Sequence, residues 1–519
     1  MSELENRIRD KSLLSKITTP EKLIPLFEET EKRILNVGFS GFTPVGYPKV
    51  MPLVIADYVE KNNLKGKWHF NLFVGASMGA EIEDRWAELE LTNMRWPYQT
   101  AKVLNKKIND GSIKMGDKHL SMFSQDFLYG YYTKDCGGGL DIAIIEASSI
   151  DENGNIILAG SVGAAPEFIT MADKIIVEIN THNPSFEGMH DIFVSDIPPY
   201  KKIIPITDVR QRIGTPFVPT DKSKIVGIIE STKPDNGRAV RGSEVSETIA
   251  QHIIDFFQSE VKAGRMPKNL LPLQSGVGSI ANAVVLGLTN SPFDNLTVYS
   301  EVLQDGFLPF LDSGKCKFIN ATSVSLSNEG FEHWWKNYDL YREKVLLRPM
   351  QISNNPEIIR RLGVISMNTP VEVDFYGHAN STLVGGTRML NGIGGSGDFA
   401  RAAYVSIMHT PSCRPSKTDE FGISAIVPKV PHVDHTEHDL DVIVTEQGLA
   451  DLRGLCPKER AKVMIEKCAH PAYKDYLNDY LERAIKATGN HHEPQLLKEC
   501  YDMHISLAES GTMRFWEKK

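Results

Sequence analysis

Residues 295–306, NLTVYSEVLQDG, set a carboxylate inside a run patterned for burial. Leu296, Val298 and Tyr299 lead into Glu301, and Val302 and Leu303 follow before Asp305-Gly306 breaks the run. An unpaired buried charge costs several kcal/mol, so such a glutamate belongs to an edge strand, to an ion pair, or to a site that uses it. As a covalent nucleophile, a carboxylate gives an acyl anhydride, which remains highly activated, where serine or cysteine would give an ester or thioester.

Three other stretches carry residue types suited to chemistry. GIGGSGDF (392–399) satisfies G-x-G-x-x-G, but it follows GGTRMLN, which is no strand, and Asp398 would set like charge against a pyrophosphate. It reads instead as a tight turn whose Gly394 and Gly395 amides, at a helix start, form an oxyanion or anion site. HVDHTEH (432–438) places three histidines at spacing three among Asp434, Glu437 and Asp439. That spacing puts three ligands on one face of neither a helix nor a strand, and the segment runs straight into DLDVIVTE, so a hydrogen-bonded turn or interface is expected and no metal. Arg388, Arg401, Arg414 and Lys417 flank the glycine loop, as a solvated face or as an anchor for a phosphate-rich ligand.

The elements that must position these residues are strand-like runs with glycine-rich turns and helical patterns between them. DIAIIEA (141–147), DKIIVEIN (173–180), KIVGIIES (224–231) and DLDVIVTE (439–446) alternate with helices as in open α/β domains with mainly parallel sheets. The polar stretch STKPDNGRAVRGSE (231–244) is the expected crossing between domains. Three pairs of segments recur in the same order: SGFTPVGYPK (40–49) with SGVGSIANAV (275–284), NLFVGAS (71–77) with NLTVYSE (295–301), and SVGAAPEFITMADKI (161–175) with GIGGSGDFARAAYVS (392–406). Two related halves are therefore expected, with Ser77 in one half where the other has Glu301.

At 519 residues with 41% apolar content, the chain can fill two or three cores, and no segment approaches 18 uninterrupted apolar residues. A net charge of −9 argues against nucleic acid as the main partner, and no membrane partner is expected. Six scattered cysteines (136, 316, 413, 456, 468, 500) form no CxxC pair, which points to reduced thiols. The N-terminal MSELENRIRDKSLLSK, with Glu3, Glu5 and Asp10, is unlike a signal or transit peptide. The cytoplasm is the expected compartment, with a mitochondrial or related organelle matrix as the alternative.

Over nearly its whole length the sequence resembles the class I acetyl-CoA hydrolase/transferase family, the group that includes succinyl-CoA:acetate CoA-transferases. The matching stretches include SGFTPVGYPK, EASSIDENGNI, EGMHDI, LLPLQSGVGSIANAVVLGL, YSEVLQDG, ISNNPEIIRRLGVISMN, NGIGGSGDFARAA and HVDHTEHDLDVIVTEQGLADLRGL. The resemblance implies that Glu301 is the nucleophile, with Ser300 where the family usually has threonine. It implies that Gly276, Val277, Gly278, Ser279 and Ile280 form the coenzyme A turn, and that Asn391 and Gly395 make further coenzyme A or oxyanion contacts. Val371 and Lys417 match more distant coenzyme A contacts, and Asn354 and Ser77 match residues of the acyl and carboxylate pocket. Two α/β domains, 1–230 and 231–519, are implied, with the active site between them and Glu301 and the glycine loop in the second. A homodimer is implied as well, with coenzyme A, acyl-CoA and carboxylic acids as substrates and no prosthetic group. A second carboxylate, as on succinate, needs an added donor, for which Arg210, Arg212, Arg238 and Arg241 are the candidates.

Overall fold

The computed structural model describes residues 2–133, 139–235, 237 and 240–517. Cys136 and Arg238 lie outside these residues. The chain forms two compact α/β units. The first comprises Met1–Ala239, Thr297–Leu311 and Lys317–Leu362; the second comprises Val240–Leu296, Asp312–Cys316 and Gly363–Lys519. The expected first domain, 1–230, lies within the first unit. The expected second, 231–519, is divided, because the stretch with Glu301 and the stretch with Asn354 pack with the first unit.

In the first unit, strands β1 (Leu35–Phe39), β2 (Phe70–Val74), β3 (Thr92–Trp96), β4 (Lys114–Met115), β5 (Leu140–Ile150), β6 (Ile156–Leu158), β7 (Ala172–Asn180) and β8 (Ile225–Ser231) form one sheet. Its order is β4-β3-β2-β1-β5-β7-β8, with β6 antiparallel on β5 and the other pairs parallel. β5 is buried along all 11 residues, as a central parallel strand covered on both faces must be. Leu72, Val37 and Ile142 stand in one row across β2, β1 and β5. Against this sheet pack the helices Met51–Lys61 and Ala80–Glu88, whose Ile55, Val59 and Trp86 join Phe39 and Phe70 in the core. The start of the first of these helices is held by buried Glu178, which accepts from the amides of Val50 at 3.0 Å and Met51 at 3.2 Å.

The chain continues through β9 (Leu273–Ser275), β10 (Leu296–Tyr299), β11 (Val302–Leu303), β12 (Cys316–Ala321), β13 (Ser323–Val324), β14 (Val345–Leu347) and β15 (Ile365–Asn368). In the first unit β10, β12 and β14 lie side by side, and β11 pairs in parallel with β13. In the second unit β9, β15 and the strands Val405–His409 and Val442–Thr445 run parallel, and Gly448–Asp451 closes the row antiparallel. Helices Glu244–Lys262 and Ser279–Asn290 cross closely at Gly287, where a Cβ would lie 2.5 Å from Ile254 Cδ1. DLDVIVTE contributes a strand of only four residues, Val442–Thr445.

The two halves share backbone detail. Gly163 (φ +51°) and Gly394 (φ +60°) are both left-handed, and each stands one residue before the N-cap of a seven-residue helix, Ala165–Met171 or Ser396–Ala402. No described helix is long and apolar enough to cross a membrane.

Candidate active site

β10 stops at Tyr299, and Glu301 sits in the bend between β10 and β11. The carboxylate thus interrupts the strand rather than riding within it, at the carboxyl end where α/β folds place ligands. The bend is braced by backbone bonds: the Glu301 carbonyl accepts from Thr322 N at 2.7 Å and Ser323 N at 3.1 Å, and Ser300 N donates to Asn320 O at 2.9 Å. Thr322 in turn accepts from Gly163 N on its hydroxyl at 3.0 Å and from Val162 N on its carbonyl at 2.8 Å. Ser323 Oγ donates to Phe42 O at 2.9 Å. Three loops of the first unit, 40–46, 160–164 and 322–324, therefore lock one short bend.

Asn354 reaches the same place by a different route. Tyr299 Oη donates to Ile352 O at 2.6 Å, and Met350 N donates to Gly163 O at 2.9 Å, which pins the short helix Met350–Ser353 just ahead of it. Ser353 Oγ donates to Asn354 Oδ1 at 2.7 Å, so the amide oxygen is occupied, and the buried amide nitrogen has no full hydrogen bond within the protein. Burial pushes the Glu301 carboxyl up to about 7, and the Asn354 amide opposes that rise. Among the described residues no cation takes part in this balance. Glu301 stays partly accessible, a site less sealed than its apolar flanks suggest.

Ser77 is 2% exposed on the loop after β2. A Cβ on Gly75 would lie 2.5 Å from Gly41 O and 3.1 Å from Gly163 Cα, so this loop packs on the loops that brace Glu301. Buried Arg95 supports it by donating to Ala76 O at 2.7 Å while paired with Glu83 at 2.6 Å. Ser77, Glu301 and Asn354 are thus brought into one region. Thr322, Ser323, Gly163 and Tyr299, which hold it, escaped the sequence reading. The hydroxyl run ATSVS (321–325) after an apolar stretch was the available signal.

In the second unit, Gly276–Ile280 turn from β9 into the helix Ser279–Asn290. Gly278 caps that helix with φ +119°, a conformation that requires glycine, and Val277 is 51% exposed on the turn. Gly276 N donates to Met367 O at 2.9 Å, which sets the turn against the end of β15, four residues before Val371. Val371 N donates to Asn380 O at 2.7 Å. Asn391 precedes the left-handed Gly392 and Gly394, and Gly395 caps the helix Ser396–Ala402. Lys417 is exposed on the loop of a hairpin, Cys413–Arg414 with Ile423–Ser424. The segment before the glycine loop, expected to hold no strand, forms a small antiparallel hairpin of Leu383–Val384 with Arg388–Met389. Of the flanking cations, Arg414 donates to Pro370 O at 2.7 Å, and Arg388, Arg401 and Lys417 are exposed.

The histidine-rich segment is structural. Asp434 accepts from Ser381 N at 2.6 Å and pairs with His432 at 3.1 Å, and Glu437 pairs with His378 at 2.6 Å. Buried His435 shares a hydrogen bond with Ser396 Oγ at 3.2 Å, one residue beyond Gly395, so the segment supports the glycine loop. Among the described residues no group of His, Cys, Asp and Glu is arranged to hold a metal ion. The described cysteines form no disulfide with one another. Of the arginines considered for a second carboxylate, Arg212 donates to His190 O and Gly188 O at 2.8 Å each, Arg210 pairs with Asp208 at 2.9 Å, and Arg241 is exposed.

Family models and known proteins match this chain over most of its length. The profile of the acetyl-CoA hydrolase/transferase N-terminal domain matches residues 1–230, and that of the corresponding C-terminal domain matches residues 330–481. The chain is 55% identical over 518 residues to the acetyl-CoA hydrolase of Yarrowia lipolytica, covering 98% of both chains. It is 52% identical over 522 residues to that of Saccharomyces cerevisiae, covering 99% and 98%. In fold it resembles RipA from Yersinia pestis (TM-score 0.68, 22% identity, 95% of this chain and 100% of that one). It also resembles a 4-hydroxybutyrate CoA-transferase from Porphyromonas gingivalis (TM-score 0.61, 18% identity, 91% and 99%). By sequence, the chain belongs to the acetyl-CoA hydrolase/transferase family.

Proposed function

We propose that this enzyme moves coenzyme A between a short-chain acyl-CoA and a carboxylic acid, with succinyl-CoA or acetyl-CoA as donor and acetate or succinate as acceptor. The observation that carries the reading is Glu301: a carboxyl pushed up by burial in a braced strand-end bend, with the Asn354 amide to steady its charge. Glu301 attacks the thioester carbonyl, and loss of coenzyme A thiolate leaves an acyl-glutamyl anhydride. The thiolate then attacks the glutamyl carbonyl, releasing the donor acid and leaving a glutamyl-CoA thioester. An acceptor carboxylate reverses the sequence, so kinetics are ping-pong.

In this scheme the Gly395 amide stabilises the tetrahedral oxyanions, such a donor being worth roughly 3–4 kcal/mol, and Asn354 lines the acyl and carboxylate pocket. Ser77 lines the acid pocket. Gly276 to Ile280, Val371, Asn391 and Lys417 hold the coenzyme A body, whose remote binding energy is used at the reacting centre. The working form is a homodimer.

A second reading, acyl-CoA hydrolysis, is favoured by the activity for which the curated relatives are named. The partial accessibility of Glu301 also leaves room for water to resolve the intermediate. Release of coenzyme A from acetyl-CoA and from succinyl-CoA, with and without added acetate or succinate, separates the two. Formation of a new acyl-CoA that requires the acceptor acid supports transfer; equal release of free coenzyme A without any acid supports hydrolysis. In either case incubation with acyl-CoA alone should add a CoA-sized mass at Glu301, absent in Glu301→Ala. An adduct on another residue removes Glu301 from the chemistry.

A further inference from the structure

Lys417 stands on a loop, residues 415–422, that has no strand pairing of its own. A lysine ammonium is a point charge on a flexible stem, so it can meet a ligand reproducibly only if its backbone is held. The hairpin's base is held through Arg414 and Pro370, and Gly422 O accepts from Tyr473 Oη at 2.6 Å. The loop itself is held by the end of the chain. Asp419, 6% exposed, accepts from Arg514 Nε at 3.1 Å and Arg514 Nη2 at 3.0 Å, from the Thr512 hydroxyl, and from Phe421 N at 3.0 Å. The Arg514 guanidinium lies 4.4 Å over the Phe421 ring. Thr418, next to Lys417, donates its hydroxyl to Gly511 O. Gly511 is left-handed (φ +77°), and a Cβ there would sit 2.8 Å from Thr418 Oγ1, so the tail passes directly against the loop.

The tail is itself docked. Met513 is buried in the core of the second unit, and Trp516 stacks on Tyr476 with centroids 4.2 Å apart. The preceding helix, Asp502–Ser510, bonds His504 Nε2 to Glu372 Oε2 at 2.8 Å, and Glu372 adjoins Val371. One C-terminal segment thus fastens the neighbours of both Val371 and Lys417.

We infer that the segment 502–517 is a positioning element for coenzyme A, with Arg514 as the positioning residue that fixes the Lys417 loop through Asp419. The inference rests on the reading of Lys417 as a coenzyme A contact. Arg514 touches no reacting atom, so its loss should weaken coenzyme A binding and spare the chemical step.

The test uses the full chain, with KM and kcat for acetyl-CoA and calorimetric affinity for free coenzyme A. Arg514→Ala should raise KM and the dissociation constant about tenfold while kcat stays within about twofold. Arg514→Lys should fall between, since a lysine cannot span both carboxylate oxygens. Thr512→Val, a milder cut of the same tether, should move both constants in the same direction and serves if Arg514→Ala does not fold. Lys417→Ala should show a similar loss, and the double variant Arg514→Ala/Lys417→Ala should be no worse than Lys417→Ala alone. Unchanged affinity in Arg514→Ala and Thr512→Val beside a weakened Lys417→Ala overturns the positioning role and leaves the coenzyme A reading standing. Unchanged affinity in Lys417→Ala overturns that reading and the inference with it. Losses that multiply in the double variant also overturn the inference, because Arg514 then acts elsewhere.

Discussion

Asn354 opposes the rise of the Glu301 carboxyl, and of its amide atoms the oxygen already accepts from Ser353 Oγ at 2.7 Å while the buried nitrogen has no full hydrogen bond. The pair therefore has a direction: Asn354 can donate to an ionised Glu301 and favours that form against the pull of burial. With the carboxyl raised to about 7, kcat/KM for acyl-CoA should climb with pH and level off, with its half-point near 7. Asn354→Ala removes an influence that lowers this value, so the half-point should move to higher pH and the plateau should fall. A pH profile of kcat/KM that keeps its half-point in Asn354→Ala would separate the limb from Glu301.

The same shift has a cost in stability. An unfolded chain loses this proton near 4.5, whereas the folded chain keeps it until about 7. Between those values folding holds the extra proton, so the contribution of Glu301 to stability falls as pH rises through that window and stays low above it. Glu301→Gln should therefore be more stable than the native protein at pH ~8, by roughly 2 kcal/mol after allowance for partial exposure, with little difference at pH ~4.5. Urea unfolding at both pH values measures it. Equal stabilities at the higher pH would mean that the carboxylate is better solvated than its surroundings indicate.

Much of this fold is legible as pattern, and the reasons are local. β5 is buried along its whole length and β7 from Ile175 to Asn180, so apolar runs such as IAII and IIV mark them without knowledge of partners. Glu301 is legible as a local conflict between its charge and its flanks. The duplication is legible because the tight turns at Gly163 and Gly394 need the same left-handed backbone. Thr322 and Ser323 are not legible, since they look like ordinary strand-end hydroxyls until Gly163 N, 159 residues away, is found on the Thr322 side chain. Nor could a single boundary near 230 anticipate that 297–311 and 317–362 pack with the first unit. That grouping depends on long-range backbone bonds such as Val162 N to Thr322 O at 2.8 Å.

The first unit hides a second group of charges behind the loop 40–46. Lys49 is buried between Glu146 and Asp235, the latter at 2.8 Å, and Asp235 also accepts from Gly46 N at 3.0 Å. Burial, opposed by Lys49 and reinforced by Asp235, raises Glu146 to about 8. Lys49→Met should strand two buried carboxylates and cost roughly 3–5 kcal/mol at neutral pH. Glu146 would then hold a proton more readily in the folded chain, so the deficit should shrink as pH falls. Urea unfolding of the variant at pH ~5.5 and ~8 reads both effects. A deficit independent of pH would point to lost packing instead of stranded charge.

Gly395 offers the sharpest separation of fold from function. Its backbone, φ −93° and ψ −3°, is open to any residue, unlike that of Gly394 at φ +60°. The matching position in the first unit is Ala164, at φ −103° and ψ 13°, so a turn of this conformation accepts a Cβ. Glycine at 395 then answers to space above the turn, where the reacting thioester is proposed to lie. Gly395→Ala should accordingly melt within about 2 °C of the native protein and lose at least about tenfold in kcat/KM, as one displaced oxyanion donor would cost. Gly395→Leu should lose coenzyme A affinity as well as rate. Gly394→Ala should do the reverse in kind, losing roughly 1 kcal/mol of stability from its left-handed backbone. Calorimetric melting and steady-state kinetics on the three variants decide the matter, and a fully active Gly395→Ala would move the reacting carbonyl away from this loop.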